Sequence, residues 1–142
     1  MLQSINSGGA VVDIGHGLTL SLGEDGRWQV VGANGTWSLE GERDFYRAVT
    51  LLEKSFAEAS EAVHRCSMAR PNSRPFQFEA VVKMALQSAT DHWASLALEW
   101  FPHLLRDQRK ALTNELRAVI DSRWASQKVR QHADRELKQL TD

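Results

Sequence analysis

Between Leu18 and Glu40, apolar side chains recur at every second position: Leu18, Leu20 and Leu22, then Trp28 and Val30, then Trp37 and Leu39. This is the period of a strand with one buried face. Gly23-Glu24-Asp25-Gly26 and Gly32-Ala33-Asn34-Gly35 separate the three runs. Their Asp-Gly and Asn-Gly pairs tolerate positive φ, so each strand is expected to reverse into the next as an antiparallel hairpin. Ala10 to Ile14 offers a fourth strand, with Gly15-His16-Gly17 as a bulge or a loose arm. A sheet this small is seldom stable alone, so the face carrying Leu18, Leu20 and Leu22 is expected to pack on the first two helices.

Every glycine lies at or before Gly41, and the apolar period changes there. From Phe45 the seam runs through Val49, Leu52, Phe56, Ala59, Val63 and Cys66, alternating steps of four and three, which predicts one helix with a narrow apolar stripe. The stretch from Met68 to Pro75 holds two prolines and stops it. A second helix is predicted from about Phe76, with a wide stripe of Phe78, Val82, Ala85, Leu86, Ala89, Trp93, Leu96, Ala97 and Trp100. Phe56, Leu86, Trp93 and Leu96, in the middles of these stripes, are expected at the centre of the core. Pro102 kinks the second helix or begins a third, whose inner face is Leu105, Leu112, Leu116 and Val119. Its register is polar at Arg123, Ser126 and Arg130 before Ala133, Leu137 and Leu140 restore it. With no glycine or proline in that interval, the helix is expected to run on past the edge of the domain. The fold class that results is α+β. A three- to four-stranded antiparallel meander (1–41) packs on a bundle of three long helices (42–142), as a single domain.

Composition narrows the classes of function without choosing one. The chain has 142 residues, 42% of them apolar, enough for a core without metals or disulfide staples. A formal charge of −1 favours neither a strongly basic nor a strongly acidic partner for the chain as a whole. Cys66 is the only cysteine, so no intrachain disulfide forms and a reducing cytoplasm is the expected location. The N-terminal MLQSINSGGAVVDIG has neither a basic start nor a sustained apolar run, so no signal peptide and no membrane contact are expected.

Catalytic and metal-binding patterns are sparse. Glu61, His64 and Cys66 come nearest to a metal cluster, but helical di-iron sites need two Glu-x-x-His turns and two further glutamates. Glu99, His103 and Asp107 are spaced by four and would align on an unbroken helix, which Pro102 opposes. Asp91-His92 reads as a surface pair. No nucleophile elbow is present, and neither Gly8-Gly9 nor Gly15-His16-Gly17 continues as a phosphate-binding loop. No cofactor, catalytic residue or metal ligand is therefore assigned.

The third helix carries the more suggestive pattern. From His103 onward there are nine Lys or Arg against six acids, whereas the preceding residues have eight against twelve. At 100° per residue Arg106, Lys110, Arg117, Lys128 and Arg135 fall within about 40° of one another, with Trp124 in the same arc. Such a face contacts phosphates and stacks on a base. The same spacing also describes a solvated face of weak ion pairs.

The reading that results is a non-catalytic protein-binding, assembly or regulatory protein acting through an amphipathic C-terminal helix. Trp124, Val129, Ala133, Leu137 and Leu140 are its expected contact row, and a homodimer or another protein is its expected partner. The alternative is a nucleic-acid-binding module using Arg106, Lys110, Arg117, Trp124, Lys128 and Arg135. A metal-dependent or hydrolytic enzyme comes third.

Overall fold

The structure, a computed structural model, describes residues 11–141. An antiparallel sheet precedes a series of helices, the α+β order that the change of apolar period predicts. The chain divides into two compact units, Met1–Phe76 and Gln77–Asp142. No helix among the described residues is long and apolar enough to cross a membrane.

In the first unit the strands are β1 (Val12–Asp13), β2 (Thr19–Leu22), β3 (Trp28–Gly32) and β4 (Gly35–Ser38), hydrogen-bonded in that order. The fourth strand offered by the sequence is β1; the Ala10 end of that reading lies outside the described residues. Val12, Leu20, Val30 and Trp37 stand opposite one another in successive strands, as do Leu22 and Trp28. The period of two thus gathers them on one face, where Val12, Leu20, Leu22, Trp28 and Val30 are buried. Leu18 lies just outside β2 and is only half-buried.

The single helix predicted from Phe45 to Cys66 is two pieces. Glu42–Glu53 winds as a 3-10 helix, Lys54 is extended at ψ 153°, and α1 runs Phe56–Met68. Ser55 causes the break: its Oγ accepts the amide of Glu58 at 3.1 Å, and the Glu58 carboxylate reaches back to the Ser55 amide at 3.4 Å. This reciprocal pair starts a new helix where the apolar seam alone suggests continuity. The tighter winding buries Phe45, Ala48 and Leu51, spaced by three, while Val49 and Phe56 are only half-buried. Ala59, Val63 and Cys66 are buried on α1 as predicted, and α1 touches β1, β2 and the 3-10 segment. The proline-bearing loop after α1 closes over the sheet: Trp28 Nε1 donates to the Arg74 carbonyl at 2.7 Å, and the Phe76 ring meets those of Trp28 and Phe45 edge-on at 5.3 and 5.4 Å.

The second unit holds α2 (Phe78–Gln87), α3 (Asp91–Trp100), α4 (Arg106–Lys110), α5 (Thr113–Ile120) and α6 (Gln127–Thr141). The second predicted helix breaks between α2 and α3 at Ala89, which adopts φ 58°. The break restarts the helical phase, so α3 buries Ala94, Ala97, Leu98 and Trp100. Trp93 and Leu96, expected at the centre, are half-buried, whereas Leu86 is buried as expected. The third predicted helix is likewise α4, α5 and α6. Helix α3 touches α2 and α6, and α5 touches the same two, so these four close a ring around Trp100, Leu98, Leu116 and Val119.

Candidate binding surface

The C-terminal helices carry both contact rows expected from the sequence, and their geometry changes both readings. The chain does not run through residues 121–126 as a helix: Ser122 Oγ bonds back to the Val119 carbonyl at 2.8 Å and accepts the Ala125 amide at 3.3 Å. Ser126 Oγ then takes the Val129 amide at 3.2 Å as α6 begins, while the Ser126 amide donates to Asp91 Oδ1 at 2.7 Å. Capping by serine and aspartate does here what glycine and proline do elsewhere. Helix α6 consequently folds back on α5 and α3. Val129, Ala133 and Leu140 are buried within the chain itself, and only Trp124 and Leu137 of the expected row are half-buried at the surface. The exposed apolar row that motivated a contact there is thus largely consumed by the fold.

Arg106, Lys110, Arg117, Lys128 and Arg135 are all exposed. They are distributed over α4, α5 and α6, however, so the single 40° arc of an ideal helix does not exist in the folded chain. Glu99, His103 and Asp107 fall on α3, a 3-10 turn and α4, separated by the extended Leu104 at ψ 156°, and form no row.

Two buried groups stand out. Glu136 is only 7% exposed; its Oε2 faces His132 Nε2 at 3.4 Å on α6, and its Oε1 has no hydrogen-bond partner. Helical spacing puts it on the buried row, three residues after Ala133 and four before Leu140, but its charge hides the position from a reading of apolar residues alone, which takes Leu137 instead. The Cys66 thiol is buried, and burial pushes its pKa up from 9.0 against the opposing pull of Arg65, making it a poor nucleophile. Glu61 pairs with Arg65 at 3.1 Å and His64 is exposed. Among the described residues no group of three or more His, Cys, Asp and Glu is placed to hold a metal ion. A cleft of about 370 Å³ between β1 and α1 is lined by Asp13, Lys54, Glu58, Glu61 and Arg65, but Glu58 is engaged with Ser55 and Glu61 with Arg65.

A different surface is assembled on the first unit, from residues not singled out by the sequence. Trp37, at the end of the sheet's buried face, stays half-buried because β4 is the last of the described strands. The 3-10 winding from Glu42 places the Arg47 guanidinium over the Trp37 ring at 4.6 Å and over the Tyr46 ring at 4.9 Å. Tyr46 itself is 53% exposed. The neighbouring carboxylates are used elsewhere: Glu40 pairs with Arg27, and Asp44 Oδ2 accepts the amides of Glu40 and Gly41 at 3.1 and 2.9 Å. Among the described residues no carboxylate lies within ion-pairing distance of Arg47, so the rings hold a cation without an anion.

Among the described residues no strand pairs with the outer edge of β4 beside this stack. Leu39 donates to the Trp28 carbonyl at 2.8 Å, which makes Trp28 and Leu39 a hydrogen-bonded pair. Alternation then turns the backbone of Trp37 and Gly35 toward β3 and that of Thr36 and Ser38 outward. Thr36 and Ser38 are both exposed. An aromatic–guanidinium stack and two outward backbone pairs thus share one border of the sheet. Comparison of the chain with protein-family models, with curated proteins and with solved structures finds no match.

Proposed function

We propose that the chain is a non-catalytic protein-binding module, in an assembly or regulatory role, whose contact surface is centred on Trp37, Tyr46 and Arg47. The observation that carries this reading is the guanidinium stacked on two rings, with no carboxylate among the described residues paired to it. Trp, Tyr and Arg are the side chains that most often dominate binding energy at protein interfaces. A guanidinium already held against aromatic faces loses less freedom on binding than a mobile one. The surface differs from the C-terminal row expected at first because Val129, Ala133 and Leu140 are needed inside the fold. A reducing compartment such as the cytoplasm suits a chain whose one cysteine is a buried thiol.

Selection of displayed random peptides on the full chain tests the reading. Selected peptides are expected to bind the wild type and to lose about tenfold or more in affinity to Arg47→Ala and to Tyr46→Ala. Both residues lie outside the core, so the thermal midpoint is expected to change little. Selected peptides indifferent to both substitutions would refute the surface. Oligonucleotide binding that weakens steeply with salt and is lost on replacing Lys128 and Arg135 would favour the nucleic-acid reading instead.

A further inference from the structure

We infer that the partner is an extended segment of another protein that adds to β4 as a fifth antiparallel strand, with a carboxylate side chain placed opposite Trp37. This rests on the protein-binding reading above and specifies what the surface takes. The outward N–H and C=O groups of Thr36 and Ser38 supply the main-chain half of recognition: an incoming strand pairs with both residues in an ordinary ladder. The residue between those two pairs then faces Trp37. Side chains alternate across a sheet, so that one residue points to the same face as Trp37 and Arg47, while its two neighbours point away with Thr36 and Ser38. Strands lie about 4.8 Å apart, within the reach of an Asp or Glu side chain to a guanidinium on that face. The site is thereby selective at one position and permissive at the flanking two.

Charge decides among occupants. A second copy pairing through its own β4 would bring Trp37 against Trp37 and one Arg47 toward another, a like-charge contact that disfavours self-pairing. Residues 1–10, MLQSINSGGA, contain no Asp or Glu and cannot supply the anion. An acidic extended segment from a different protein satisfies both the strand edge and the cation.

The probe is a blocked peptide, acetyl-Thr-Val-Thr-Glu-Thr-Val-Thr-amide, titrated into the full-length protein labelled with nitrogen-15. Binding is expected to perturb Trp37, Tyr46 and Arg47 and to slow amide exchange at Thr36 and Ser38 by about tenfold or more. The analogue with Gln for Glu is expected to bind about tenfold more weakly. Arg47→Gln is expected to reduce the Glu peptide to the level of the Gln analogue and to leave the Gln analogue unchanged. A peptide N-methylated at the amides that meet Thr36 and Ser38 tests the ladder without altering the protein, and is expected to lose binding. Equal binding of the Glu and Gln peptides, or no binding at millimolar concentration, overturns the inference. Binding at Arg47 without protection of Thr36 and Ser38 overturns strand addition and leaves the protein-binding surface intact, whereas selected peptides that ignore Arg47 remove both. Protection of Thr36 and Ser38 that grows with protein concentration in the absence of peptide identifies a second copy as the occupant and also overturns it.

Discussion

Gly26 is buried at the β2–β3 turn with φ +81°, and a Cβ there would collide with the backbone carbonyl of Asn72. The Arg74 amide also donates to the Gly26 carbonyl at 2.9 Å, so turn and loop are locked together. Gly35 likewise has positive φ, but only the Trp37 ring approaches it, at 3.7 Å. Gly26→Val is therefore expected to cost roughly 2–4 kcal/mol, from backbone strain plus displacement of the loop, and Gly35→Val only about 1 kcal/mol. Urea denaturation of the two variants measures the difference, and equal costs would deny the close approach at Asn72. Cys66 gives a pH signature. Its folded-state pKa lies above 9.0, so the unfolded thiol ionises first, and the stability owed to the neutral buried thiol is intact below pH 9.0 and declines above it. The stability advantage of wild type over Cys66→Ala is expected to shrink as pH rises through that value, and an advantage that grows would contradict the sign.

At the level of the elements, helix boundaries rest on short polar side chains. Ser126→Ala removes the cap on α6 and is expected to cost about 1 kcal/mol, read from the thermal midpoint. Deleting everything after Ser126, which leaves the fold intact if α6 protrudes, is now expected to unfold the second unit, because Val129, Ala133 and Leu140 leave its core. A truncated chain with wild-type helical circular dichroism would reverse that conclusion. The strands were legible because a period of two and the turns at Gly26 and Gly35 agree with each other. The helix breaks were harder to read. Ser55-Phe56-Ala57-Glu58 carries a capping box in plain sequence, but the apolar seam passes through it without a gap. Three residues per turn before Ser55 and a fresh phase after it imitate one continuous stripe. At Ala89 a residue that favours helices sits in a left-handed conformation, and no local preference predicts that.

For the molecule as a whole, the change of composition at Gly41 marks the end of the sheet and not the division between units, which falls at Phe76. Glu42–Glu53 and α1 belong with the strands because a four-stranded sheet of this size needs a covering layer. The ring of α2, α3, α6 and α5 closes on itself, so residues 77–142 expressed alone are expected to stay helical and to melt cooperatively at lower temperature than the intact chain. A non-cooperative melt would show one folding unit instead of two. The candidate surface was the least legible feature. Trp37 reads as an ordinary strand residue and Arg47 as an ordinary helix residue, and their meeting depends on an edge strand, a turn and the winding of the helix that follows. The C-terminal row was visible in the sequence only because its amphipathic pattern is real; the fold uses that pattern internally.

The winding of Glu42–Glu53 also sets a reach. Twelve residues at about 2.0 Å each cover about 24 Å, a distance that an α-helix would need about sixteen residues to span. The segment is thus a taut strut between the end of the sheet and Ser55. Rewinding gives it slack in one direction only: up to about four inserted residues can be absorbed by relaxing toward α-helical pitch, whereas a deletion leaves the strut too short. Length variants of this segment are accordingly expected to tolerate insertion far better than loss, with the Arg47 stack as the first feature to fail, since a change of pitch turns that side chain away from Trp37.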